Sequence, residues 1–92
     1  AHTPQIAESA FIAPDAWVTG DVQLGEQVTV LFGAILRGDI LPIRIGARSN
    51  IQDQVIIHTQ TGTVPTIIGE ETTIGHRATL HSATIGSCAL IG

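Results

Sequence analysis

Three histidines of this 92-residue chain, His58, His76 and His81, sit beside aliphatic residues that recur at every sixth position. Histidines so placed point to shared metal ligation. A neutral imidazole gives a metal one nitrogen lone pair, and zinc–nitrogen bonds run roughly 2.0–2.1 Å. Whether the three can converge depends on the elements that carry them.

Those elements keep a period of six. Aliphatic residues open hexads at Ile12, Val18, Leu24, Val30 and Leu36, resume at Ile45, Ile51 and Ile57, and resume again at Ile68, Ile74 and Leu80. After a five-residue step come Ile85 and Ile91. Six is an even number, so in extended chain each of these residues returns to the same face, whereas on a helix it would rotate away. Ten glycines and many Val, Ile and Thr residues also suit pleated strands and tight turns better than helices. Hexapeptide repeats of this kind predict an all-β fold, a parallel β-helix shaped as a triangular prism, with three hexads to a coil.

Sorted by threes, the anchors form one column of Ile12, Val30, Ile51, Ile74 and Ile91, and a second of Val18, Leu36, Ile57 and Leu80. The third is Leu24, Ile45, Ile68 and Ile85. The sorting requires three extra residues to bulge out around Pro42, and five around Gly62 and Pro65. Each third-column anchor is followed by glycine (Gly25, Gly46, Gly69, Gly86), which reads as a corner needing a backbone geometry that glycine tolerates. Residues 1–11 are then a lead-in, and 12–92 the β-helix of about four coils, the last incomplete. The stop at Ile91-Gly92, on the opening of a new hexad, reads as a stack truncated at its C-terminus.

In the second column the residues after the anchors are Thr19, Arg37, His58 and His81, and this offset points outward. Adjacent strands lie roughly 4.8 Å apart, so His58 and His81 can tilt onto one ion. His76 follows Ile74 by two positions and belongs to the first column, around a corner. A neighbouring copy can supply it. A homotrimer would then hold equivalent sites at its interfaces, two histidines from one chain and one from the next, with assembly coupled to metal binding.

Composition narrows the function. The net charge is −4, lysine is absent, and the four arginines (Arg37, Arg44, Arg48, Arg77) form no run that could track a phosphate backbone, which argues against nucleic acid. No apolar stretch reaches membrane-spanning length and no signal-peptide pattern opens the chain, so a soluble, cytoplasmic protein without membrane contact is the expectation. Cys88 is the single cysteine and reads as a small corner residue rather than a nucleophile. His2 precedes the hexads and receives no role.

With these residues placed, the chain resembles the gamma-class carbonic anhydrases and their hexapeptide-repeat relatives from about Pro4 onward. The resemblance is carried by Ser9-Ala10-Phe11-Ile12-Ala13-Pro14, Leu36-Arg37-Gly38-Asp39, Pro42-Ile43-Arg44-Ile45-Gly46, Ser49-Asn50-Ile51-Gln52-Asp53, Ile57-His58-Thr59 and Ile74-Gly75-His76-Arg77-Ala78-Thr79-Leu80-His81. It implies a left-handed β-helix, against the usual right-handed crossover, assembled as a trimer. It implies zinc, with iron or cobalt as alternatives, held by His58 and His81 of one subunit and His76 of the next. Gln52 matches a residue that positions hydroxide or bicarbonate, with Asn50 beside it, while Arg37, Asp39 and Asp53 match a polar network at the subunit interface. The implied activity is reversible hydration of carbon dioxide to bicarbonate, in which the metal lowers the pKa of a water toward roughly 7.

The sequence departs from that family where proton-carrying acids stand: residues 59–67 contain no acid, and Ile40 follows Asp39. The family's C-terminal coils and prism-packing helix have no counterpart up to Gly92. Two other functions stay open. One is a hexapeptide-repeat acyltransferase or thioesterase-like enzyme acting on coenzyme A esters, with a histidine as general base. The other is a metal-bearing structural or assembly subunit without turnover.

Overall fold

The hexads become short strands in a computed structural model that describes residues 3–92; His2, left without a role above, lies outside the described residues. Along the chain these are β1 (Gln5–Ile6), β2 (Phe11–Ile12), β3 (Trp17–Leu24), β4 (Thr29–Val30), β5 (Ile35–Ile45) and β6 (Asn50–Ile51), then β7 (Ile56–His58), β8 (Thr66–Ile68), β9 (Thr73–Ile74), β10 (Thr79–His81), β11 (Thr84–Ile85) and β12 (Leu90–Ile91). Every pairing is parallel, as stacking of successive coils demands. The first face stacks β2, β4, β6, β9 and β12. β3 and β5 each bend around a corner, so they link the second face, with β7 and β10, to the third, with β1, β8 and β11.

The registers reproduce all three columns. Ile12, Val30, Ile51, Ile74 and Ile91 are partners in turn, as are Val18, Leu36, Ile57 and Leu80. Leu24, Ile45, Ile68 and Ile85 do the same, so both insertions bulge without breaking the stack. One anchor was hidden in the expected lead-in. Ile6 pairs with Leu24, so stacking starts at Gln5 rather than at Ile12, inside the segment expected to precede the β-helix.

In the middle coils the anchor and the residue two before it are both buried, because alternation returns both to the interior. Val22, Val28, Ile43 and Val55 therefore join Leu36, Ile51, Ile57 and Ile74 in the core, all fully buried. Each such side chain contributes roughly 1.5–3 kcal/mol by leaving water. Polar residues at the same inner offset need partners. Ser49 donates its hydroxyl proton to the Gly69 carbonyl (2.7 Å) and accepts the Thr72 N–H (3.1 Å), and Thr72 donates to the Gly86 carbonyl (2.8 Å).

The corner glycines correct the sequence reading. Gly25, Gly46, Gly69 and Gly86 do not hold the left-handed backbone; Gln27, Arg48, Glu71 and Cys88 do, with φ of 57°, 61°, 53° and 59°. That conformation costs roughly 1–2 kcal/mol per non-glycine residue. Stacking offsets part of it, since Arg48, Glu71 and Cys88 donate N–H bonds of 2.8, 2.9 and 2.9 Å to carbonyls one coil earlier. Three of the four answer to proximity instead: a Cβ on Gly25 would lie 2.9 Å from the Ala47 nitrogen, one on Gly46 2.8 Å from that of Glu70 and one on Gly69 2.6 Å from that of Ser87, whereas one on Gly86 would meet nothing within 4 Å. The described residues contain no helix long and apolar enough to cross a membrane.

Candidate metal centre

His58 ends β7 and His81 ends β10, and the two are direct partners in the parallel register. Both follow a buried second-column anchor, so both point outward, and the strand spacing brings the rings into a stack with centroids 4.2 Å apart and planes inclined by 28°. The stacking is as read from the hexads. Arg37 stands in register with His58 one coil earlier and pairs with Asp39 at 3.1 Å, both about half exposed.

His76 lies in the turn between β9, on the first face, and β10, on the second. It is 66% exposed, and its Nδ1 is 3.8 Å from Oδ1 of Asp53, an electrostatic neighbour rather than a hydrogen-bond partner. Asp15, Phe32 and Arg77 line the same shallow concavity. Asn50 opens β6 and Gln52 follows it, half-buried, in the coil stacked on that of His76. Among the described residues of one chain, no group of three His, Cys, Asp or Glu is close enough to hold a metal.

The residues singled out in the sequence thus fall into two half-sets on different sides of the prism. Arg37, Asp39, His58 and His81 share one; Asn50, Gln52, Asp53 and His76 share the other. Among the described residues of one chain the two half-sets do not come together as a group of metal ligands. Donor chemistry fits a metal, because outward imidazoles serve zinc and iron well.

Two features escaped the sequence reading. Trp17, Ile35 and Ile56 are partners in register and form an outward apolar stripe two residues before the histidine column, with Trp17 64% and Ile56 38% exposed. The signal was legible: each immediately precedes a second-column anchor, where an outward residue is ordinarily polar. The second feature is a set of hydroxyl residues beyond the histidines, Thr59, Thr63 and Ser82, whose bonds depend on the path of an irregular loop.

The architecture defines the class, a parallel β-helix of hexapeptide repeats, and comparison with known proteins then narrows it. No protein-family profile matches the chain. It is 50% identical over 90 residues to a carbonic anhydrase of Geobacillus kaustophilus, covering 98% of this chain and 49% of that protein. It is 50% identical over 84 residues to the uncharacterized transferase YtoA of Bacillus subtilis (91% and 48%), and 43% identical over 95 residues to the mitochondrial gamma carbonic anhydrase 3 of Arabidopsis thaliana (98% and 37%). A crystal structure of a hexapeptide transferase family protein from Anaplasma phagocytophilum superposes with a TM-score of 0.91 at 40% identity, covering 97% of this chain and 51% of that one. Over the part it covers, the chain is thus similar to gamma carbonic anhydrases and to transferases of the hexapeptide-repeat class. The chain spans about half the length, or less, of the relatives it matches.

Proposed function

We propose that the chain forms the metal-binding part of a carbonic anhydrase-like enzyme that interconverts carbon dioxide and bicarbonate at a site shared between copies in a homotrimer. The observation that carries this reading is the split of the polar residues into two half-sets, with stacked His58 and His81 on one and His76 on the other. The apolar stripe of Trp17, Ile35 and Ile56 beside His58 suits contact with a second copy, as an exposed contiguous apolar surface does.

His58 and His81 would hold the metal together with His76 of the neighbouring copy, with zinc as the first choice and iron or cobalt as alternatives. When bound, the metal supplies Lewis acidity that lowers the pKa of a water toward roughly 7. Asp53, on the Nδ1 side of His76, favours a tautomer that leaves Nε2 for ligation. Gln52 offers a neutral amide, both donor and acceptor, to orient an oxygen of bicarbonate, and Asn50 sits one outward position before it. The Arg37–Asp39 pair puts a fixed dipole beside His58. The exposed and unpaired Cys88 suits a reducing compartment, and we place the protein in the cytoplasm.

The test is a titration of the purified chain with zinc or cobalt(II), read alongside its mass in solution and carbon dioxide hydration. Saturable binding by a trimer with hydration activity supports the reading; a monomer that binds no metal contradicts it. Acyl transfer is the second reading, favoured by the transferase names of two relatives, and it predicts thioester turnover without metal. A metallated trimer without turnover would instead be the assembly subunit suggested by the acid-free residues 59–67 and by Ile40.

A further inference from the structure

We propose that Thr63 and Ser82 are positioning residues that hold His81 against His58 through a closed ring of hydrogen bonds just beyond their strands; the inference rests on the metal reading of that pair. The β7–β10 ladder has three aligned pairs, Thr79 with Ile56, Leu80 with Ile57 and His81 with His58, so the histidines are its last rung. Beyond them Ser82 leaves the strand conformation, with φ of 52°, while its N–H still donates to the His58 carbonyl at 3.2 Å.

The ring continues from there. The Gln60 N–H donates to Ser82 Oγ (3.2 Å), and the Ser82 and Thr63 hydroxyl oxygens lie 2.7 Å apart. Thr63 donates its own proton to the Gln60 carbonyl, so Ser82 must supply the proton between the two hydroxyls. The circuit runs from Gln60 N–H to Ser82, from Ser82 to Thr63, and from Thr63 back to the Gln60 carbonyl. Each hydroxyl both accepts and donates, an order in which hydrogen bonds polarise one another.

The two histidines are not held alike. His58 is followed by Thr59, 2% exposed, whose hydroxyl accepts the Leu41 N–H at 2.8 Å and donates to the Leu41 carbonyl at 3.1 Å. That buried anchor fixes the end of β7 against the neighbouring chain segment. His81 has the ring in its place. Residues that orient ligands ordinarily cost tenfold to a hundredfold in metal affinity when lost.

The experiment compares cobalt(II) affinity, read by absorbance titration, for the 92-residue chain and its Thr63→Val, Ser82→Ala and Thr63→Ser variants. The expected result is affinity lower by about tenfold or more in Thr63→Val and Ser82→Ala, with near wild-type affinity in Thr63→Ser, which keeps the hydroxyl. Unchanged affinity in Thr63→Val and Ser82→Ala, even with a lower melting temperature, overturns the positioning role and leaves the metal site standing. A wild-type chain that binds no cobalt(II) overturns the metal reading and this inference with it. Should a variant fail to fold, amide exchange in the wild-type chain decides: Gln60, whose N–H enters the ring at Ser82 Oγ, must exchange more slowly than Thr61 and Gly62, and equal rates overturn the ring.

Discussion

Gly20 and Gly38 pass at a distance no side chain would allow: a Cβ on Gly20 would lie 2.5 Å from the carbonyl carbon of Gly38. They are register partners where β3 and β5 turn from the second face to the third, directly after Thr19 and Arg37 of the histidine column. A Cβ on Gly38 would in turn meet the Asp21 carbonyl oxygen at 2.6 Å. Gly38→Ala should therefore cost roughly 1–3 kcal/mol through overpacking. Gly20→Ala should cost a further 1–2 kcal/mol or so, because φ there is +81°. Chemical denaturation checks both.

Neighbouring isoleucines should separate fold from assembly. Ile57 is fully buried and Ile56, one residue earlier, faces outward on the apolar stripe. Ile57→Ala should lower stability by roughly 2–5 kcal/mol. Ile56→Ala and Trp17→Ala should leave folding of the single chain within about 0.5 kcal/mol while weakening self-association, as surface changes do. Denaturation combined with sedimentation distinguishes the two effects. Equal loss of stability in all three variants would count against an interface role for the stripe.

Two buried hydroxyls should respond in opposite directions. Thr66 Oγ1 is buried without a hydrogen-bond partner among the described residues, so Thr66→Val, which keeps the β-branched shape, should stabilise by about 1 kcal/mol. Ser49 is also fully buried but bonds both the Gly69 carbonyl and the Thr72 N–H, so Ser49→Ala should destabilise by roughly 1–3 kcal/mol. Each kcal/mol moves the melting temperature of a domain this size by about 4–8 °C, within reach of calorimetry.

The three columns were legible because a period of six is even and leaves one strong residue per strand, as at Leu36, Ile57 and Leu80. The His58–His81 stack followed from the same count. Ile6 was missed although it stands one hexad before Ile12, and its 43% exposure marks it as the thinly covered start of the third column. The corner glycines were found for the wrong reason. Sequence marks where glycine stands, but only packing shows that Gly46 and Gly69 yield to the next coil while Arg48 and Glu71 carry the positive φ. The hydroxyl ring of Thr63 and Ser82 was not readable at all, since it depends on how an irregular insertion folds back onto the following coil. The hand of the β-helix rested on family resemblance, because strand periodicity is the same for either hand.

Removing the metal should loosen the assembly together with the site, since ligands contributed by two copies couple binding to association. Chelation of the native protein should lower its mass in solution, and zinc should restore it. Mass unaffected by chelation would mean that the copies associate without the histidines.

If His76 and the His58–His81 pair serve one metal from different copies, metal content per chain, measured by elemental analysis in wild type and in His76→Ala, must show it. About one metal per chain is expected in the wild type and almost none in His76→Ala, although the stacked pair is left intact. Metal content unchanged by His76→Ala would contradict it.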